Sequence, residues 1–159
     1  MRWLKILTLR ALLWFLGRGI CACARLDSRV AHEVAGWAEG QRLCLQIGPA
    51  GPAMAVAKEG GRLRFLGLRA APGADLVIHF KHLEGALPVF LGQQSIAQAY
   101  AQRRLTMKGD LTFAMSVVRV ILITEAYLFP GFITRRIMQR VPRRAVSAAR
   151  VYLSVLLTA

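Results

Sequence analysis

Apolar residues follow a helical spacing at both ends of the chain and a period of two in its middle. Residues 2–15 read as a helix that is apolar in nearly every direction, with Arg2, Lys5 and Thr8 as a short polar stripe. A helix of that kind is buried in protein or lies in lipid. Asp27-Ser28 then supplies an N-cap. Val30, Val34 and Trp37 stand at i, i+4 and i+7, which predicts a short amphipathic helix over 29–37 that Gly40 ends. Leu43, Leu45 and Ile47 alternate with Arg42, Cys44 and Gln46, and after a Gly-Pro turn Met54 and Val56 alternate with alanines. Glu-Gly-Gly at 59–61 is a hairpin signal, and Leu63, Phe65 and Leu66 belong to the strand beyond it. A fourth strand over 74–81 puts Leu76, Ile78 and Phe80 on one face and Asp75, Val77 and His79 on the other. The pattern is a meander of antiparallel strands, each with one apolar face.

The second half changes character. Residues 83–91 and 95–103 read as two helices parted by Gly92, with Ser95 as a cap. A short strand over 105–108 closes on Gly109-Asp110, and Asp110 caps a long apolar helix over 111–128. At 1.5 Å per residue that helix is about 27 Å long. Pro130-Gly131 breaks it. Pro142 starts a last helix with an apolar line Ala145, Ala149, Tyr152, Leu153, Leu156 and a polar line Arg143, Ser147, Arg150, Ser154, the pattern of an interfacial helix.

The expected fold class is therefore α+β. An antiparallel sheet of about five strands is covered on one face by helices, encloses an apolar cavity and carries extra N- and C-terminal helices. Three regions follow: an apolar helix at 1–26, a core domain at 27–128 and a basic amphipathic extension at 129–159. Ligand pockets are mostly apolar with few polar groups, and the helical roof here is greasier than packing alone requires.

Composition sharpens this picture. Of 159 residues, 55% are hydrophobic, which excludes intrinsic disorder. Three cysteines exclude a disulfide framework and fit a reduced, cytoplasmic setting. A net charge of +14 implies an anionic partner. Spanning a membrane needs about 20 mostly apolar residues. Arg10 and Arg18 interrupt the first segment, and Glu125, Pro130 and Gly131 the later one, so no span is expected. Basic start, apolar run and small residues at 21–24 also permit reading the N-terminus as a secretory leader, although its apolar core is short. Arg135, Arg136, Arg140, Arg143, Arg144 and Arg150 fall within sixteen residues, and no acid follows Glu125. Each Lys or Arg near an anionic bilayer contributes about 1 kcal/mol, so this segment is the candidate membrane-binding region of a peripheral protein. Nucleic acid is the weaker reading. Arginines are interleaved with aliphatic residues, and the basic cluster has few stacking aromatics.

Enzyme signatures are missing. There is no phosphate-binding loop, no Gly-rich dinucleotide motif and no HExxH. His79 and His82 have no cysteine or carboxylate pair at ligand spacing, so no metal is expected. Cys21-Ala22-Cys23 lacks redox spacing and reads as small buried residues. The expectation is a protein without catalytic residues and without a cofactor.

Two runs in the second half carry a resemblance. Ala74-Asp75-Leu76-Val77-Ile78-His79-Phe80 is an apolar strand followed by helices. Gln102-Arg103-Arg104-Leu105-Thr106-Met107-Lys108-Gly109-Asp110 then leads into an apolar helix. This order resembles the sterol carrier protein type-two domain family over about residues 27–128. It is also similar to a subgroup of accessory factors in ubiquinone biosynthesis. The resemblance implies a lipid tunnel and a sterol-like, acyl or isoprenoid ligand. For the subgroup it also implies partner enzymes of a lipid or quinone pathway.

Candidate lining residues are Ile78, Phe80, Phe90, Ile96, Tyr100, Phe113, Val117, Ile121 and Leu122, each of which ordinary core packing would also explain. Gly109 and Asp110 read as a turn and a cap, with no catalytic part. Glu125 stands alone on an apolar helix. It reads either as a structural carboxylate paired with Arg119 or with Arg135-Arg136, or as a polar anchor for a lipid head group.

Overall fold

The structure is a computed structural model that describes residues 1–129, 135 and 143–157. Helices α1 (Arg2–Leu26) and α2 (Ser28–Ala35) precede strands β1 (Arg42–Ile47), β2 (Ala53–Glu59), β3 (Arg62–Gly67) and β4 (Leu76–Phe80). Helices α3 (Leu83–Phe90) and α4 (Ile96–Ala101) follow, then β5 (Leu105–Gly109), α5 (Leu111–Leu128) and α6 (Ala148–Leu157).

The five strands form one sheet in the order β3-β2-β1-β4-β5. The first three are the expected meander. β4 then crosses to the far side of β1 and pairs with it in parallel, Leu43 against Leu76 and Ile47 against Phe80. The sheet is therefore mixed, where alternation alone predicted antiparallel pairing throughout. Period two shows which residues share a face, but strand order is set by the connection. The 68–75 crossover carries the chain past β2 and β1.

Helix α1 runs eleven residues beyond the expected Phe15. Two glycines sit inside it because the helix packs too closely for a side chain there. A Cβ at Gly17 would lie 2.5 Å from the Phe65 ring and 3.0 Å from the Met54 sulfur. A Cβ at Gly19 would lie 2.9 Å from Leu128. The Arg18 guanidinium, between them, lies 4.8 Å over the Trp14 ring. By length and composition α1 and α5 are each apolar enough to cross a membrane, contrary to the expectation from the interrupting charges. Here both are packed in the domain. Leu9, Leu13, Leu16 and Ile20 of α1 share one continuous core with Leu43, Leu45, Ile47, Met54, Leu76, Ile78 and Phe80 of the sheet. Val117, Val120 and Ile121 of α5 belong to it as well.

Helix α6 is rotated from its expected phase. Val151 and Val155, at i and i+4, turn into the core, whereas Leu153 and Leu156 of the predicted apolar line are exposed. Both phases offer an aliphatic stripe, and packing against α1 selects the β-branched one.

Candidate functional site

Helix α5 is the element that brings the candidate residues together. Its start is held by Asp110, whose carboxylate accepts a hydrogen bond from the Phe113 amide at 2.8 Å. Gly109, at φ 142°, lets β5 pass close to β4, since a Cβ there would lie 2.2 Å from the Asp75 carbonyl oxygen. From that anchor Phe113, Val117 and Ile121 project into the core at successive turns. Ile78 and Phe80 reach it from β4, Phe90 from α3 and Ile96 from α4, and the Phe80 and Phe90 rings lie 5.4 Å apart. Leu122 is half-buried.

Tyr100 does not join them: its side chain is 56% exposed. Ile96 and Ala99, three apart on α4, are the residues that turn inward, and Tyr100 lies about 100° further round the helix. Five depressions of 320–460 Å³ open on the surface. Of the candidate residues, Phe113 borders one and Tyr100 another, and the remaining eight border none of the five.

Glu125 is 5% exposed, and burial pushes its carboxyl up to about 8. It is therefore a neutral acid at pH 7. Neither expected partner reaches it among the described residues. Arg119 instead donates two hydrogen bonds to Glu33 of α2, at 2.7 and 3.0 Å. Arg135 is exposed, and Arg136 lies outside the described residues. Arg119 and Glu125 stand six positions apart, which puts them on different faces of α5.

A polar network that the sequence did not single out clamps the two ends of α5. At one end, Trp37 Nε1 donates to Ser116 Oγ at 2.8 Å, and Ser116 donates to Glu33 at 2.7 Å. At the other, Asp27 caps α2, pairs with Arg29 at 2.7 Å and accepts from the Tyr127 hydroxyl at 2.6 Å. Burial pushes the Asp27 carboxyl up, but the hydrogen bonds from Arg29 and Tyr127 outweigh it and hold it at about 2. The Tyr127 hydroxyl also accepts from the amides of Ala145 and Val146. Arg144 donates to the carbonyls of Ala126 and Phe129, and Tyr152 to that of Leu128. The chain beyond 142 is thus tied to the last carbonyls of α5, where a cation also complements the helix dipole. Lys58 does the same for α2, with its ammonium 2.7 Å from the Trp37 carbonyl and 3.0 Å from that of Val34.

Of the candidate membrane-binding arginines, Arg135, Arg143 and Arg150 are exposed, Arg144 is engaged as above, and Arg136 and Arg140 lie outside the described residues. Exposed leucines at 153, 156 and 157 accompany them on α6. The first turns of α1 expose Trp3, Leu4 and Leu7 beside Arg2, Lys5 and Arg10. Cys21, Cys23 and Cys44 are free and buried. Burial pushes the Cys21 and Cys23 thiols up to about 12, which leaves almost no thiolate at neutral pH. The described residues include no cluster of His, Cys, Asp or Glu that could hold a metal ion.

No protein-family model matches the chain, and no curated protein does. Solved structures do. The chain has the fold of sterol carrier protein 2: a crystal structure of that protein superposes with a TM-score of 0.50 at 17% identity, covering 77% of this chain and 95% of the other. UbiJ-SCP2, a ubiquinone synthesis protein, superposes with a TM-score of 0.46 at 14% identity, over 78% of this chain and 98% of that one. The sterol carrier protein domain 2 of Helicoverpa armigera gives 0.46 at 15% identity, over 86% and 93%.

Proposed function

We propose that this protein is a non-catalytic lipid carrier that holds an apolar tail between the sheet and α5 and docks on anionic membrane. The observation that carries the reading is Glu125. A buried acid with no cation beside it among the described residues is costly to keep, yet it stands on an otherwise apolar face of α5. Held neutral, its carboxyl can both donate and accept a hydrogen bond, which suits the hydroxyl or carbonyl of a lipid whose tail runs toward Ile121, Val117, Phe113, Ile78, Phe80, Phe90 and Ile96. A sterol-carrier fold supports the same reading. An entering tail takes the room that core side chains now occupy, so loading requires α1 or α5 to shift.

Docking rests on charge and exposed apolar residues. Arg135, Arg143 and Arg150 with Leu153, Leu156 and Leu157 make an interfacial surface, and the sequence of the same segment also carries Arg136 and Arg140. Free cysteines fit a cytoplasmic membrane face.

Two experiments test this. Fluorescent fatty acyl and isoprenyl probes should bind at one per chain, and Glu125→Leu should weaken a probe with a polar head more than one without. Absence of uptake of either probe contradicts the carrier reading. Flotation with vesicles rich in phosphatidylglycerol should be lost when Arg135, Arg136, Arg140, Arg143 and Arg150 become Gln. Flotation that survives unchanged assigns the anchoring to the exposed first turns of α1. A prenylated ring among recovered lipids would narrow the role to quinone synthesis, as the sequence resemblance implies.

A further inference from the structure

Three of the surface depressions meet at Lys81. One, of about 420 Å³, is lined by Lys81, His82, Glu84, Gly85, Arg103 and Arg104. The second adds Arg2, and the third adds Tyr100 and Thr106. Lys81 and Arg104 are held side by side, because the Lys81 amide donates to the Arg104 carbonyl at 3.0 Å just beyond the Phe80–Leu105 pair of β4 and β5. Like charges at neighbouring cross-strand positions repel. None of the side chains of Arg2, Lys81, His82, Arg103 and Arg104 has a hydrogen-bond or ion-pair partner among the described residues. Three other arginines, Arg29, Arg64 and Arg119, each pair with a carboxylate. The acid at the rim, Glu84, turns to Lys5 at 3.6 Å.

Two backbone features point at the same place. Arg103 has φ 56°, the only positive φ of a non-glycine residue among those described. It occupies the position just after α4 where the chain reverses, with the Arg103 amide donating to Tyr100 and the Arg104 amide to Ala99. Glycine is the residue this turn favours, since a side chain in the left-handed region is strained. A strained residue kept where glycine would serve better suggests that its side chain has work to do. The second feature is the start of α3. Its N-cap residue, His82, makes no side-chain capping bond and lines the same depression, where the Glu84 carboxylate lies against its own backbone amide.

We propose that these residues form a binding site for a phosphate monoester or diphosphate group, with Arg103 as its principal ligand. The site is separate from the interior beneath α5 and stands whether or not a lipid binds there.

Arg103→Gly tests it, because strain and binding pull in opposite directions. Without ligand this variant should melt roughly 2–4 °C higher than the parent chain. Its affinity for pyrophosphate, measured by calorimetry at fixed ionic strength, should fall at least tenfold. Glu84→Gln should tighten binding. Arg135→Gln with Arg150→Gln, which removes as much charge or more far from the depression, should leave it unchanged. Vesicles of phosphatidylcholine with and without phosphatidic acid separate the two sources of the group. Arg103-dependent binding of pyrophosphate assigns a soluble phosphate. Arg103-dependent binding of the phosphatidic acid vesicles alone assigns a lipid head group. Arg103→Gly that is stabilised but binds both as the parent does, or a loss that follows total charge at any position, overturns the proposal.

Discussion

Glu125 links chemistry to stability through a single proton. Its carboxyl titrates near 4.5 in the unfolded chain and at about 8 in the folded one. Between those values the folded protein holds one proton more than the unfolded chain, so stability falls as pH rises through that window. The loss is on the order of a few kcal/mol. Thermal melts at pH 5 and pH 8 should show it, and Glu125→Leu should flatten the difference. A variant with the same pH slope as the parent would locate the effect elsewhere. Asp27 works in the opposite sense: held at about 2, it contributes stability above pH 4 that disappears as pH falls through 2. Its partner Tyr127 connects α2, α5 and the chain at 145–146. Tyr127→Phe keeps the ring but removes one donor and one acceptor, which should cost roughly 1–3 kcal/mol. Amide exchange should rise first at Ala145 and Val146, and exchange confined to α2 would contradict this assignment. Sequence singles out Glu125 as the odd residue, and of its expected partners Arg119 is ruled out, because a cation six positions away along the same helix faces elsewhere and pairs with Glu33. Asp27 was read as a cap. Its bond to Tyr127 spans a hundred residues and leaves no local signal.

At the scale of elements, local chemistry was the most legible. Asp27, Ser95 and Asp110 each cap a helix as their residue types predict, Ser95 through a full capping box with Gln98. Less legible was whatever depended on a neighbour. Nothing between 68 and 75 says that β4 pairs with β1, and nothing in 148–157 chooses the valine stripe over the leucine stripe. α1 is the instructive case. Two internal glycines argue against a long helix by propensity, at about 1 kcal/mol each relative to Ala. Close packing on Phe65, Met54 and Leu128 requires them. Gly17→Leu should therefore destabilise by roughly 1–3 kcal/mol in spite of its better propensity. Adding Phe65→Ala should recover part of that loss in a double-mutant cycle, and strict additivity of the two changes would mean that they do not touch.

For the whole molecule, composition implied two properties that the fold distributes over different regions. Apolar residues fill one core shared by α1, the sheet and α5, and cations cover the outside. The α+β class and the sterol-carrier fold were legible, since period-two strands, capped helices and the Gly109-Asp110 turn come in a distinctive order. The interior was not, because a residue that lines a ligand and one that packs a core share the same hydrophobicity. Tyr100 shows the limit: an aromatic at the right place in the sequence, yet on the outer face of α4. The central claim is that the region between the sheet and α5 accepts an apolar tail. Native mass spectrometry of the intact chain, purified without detergent and then exposed to single-chain acyl and prenyl lipids, tests it most directly. The account predicts a complex with one lipid per chain that survives transfer to the gas phase and weakens in Glu125→Leu. A spectrum of bare protein at every lipid concentration, from a chain shown to be folded, would contradict it.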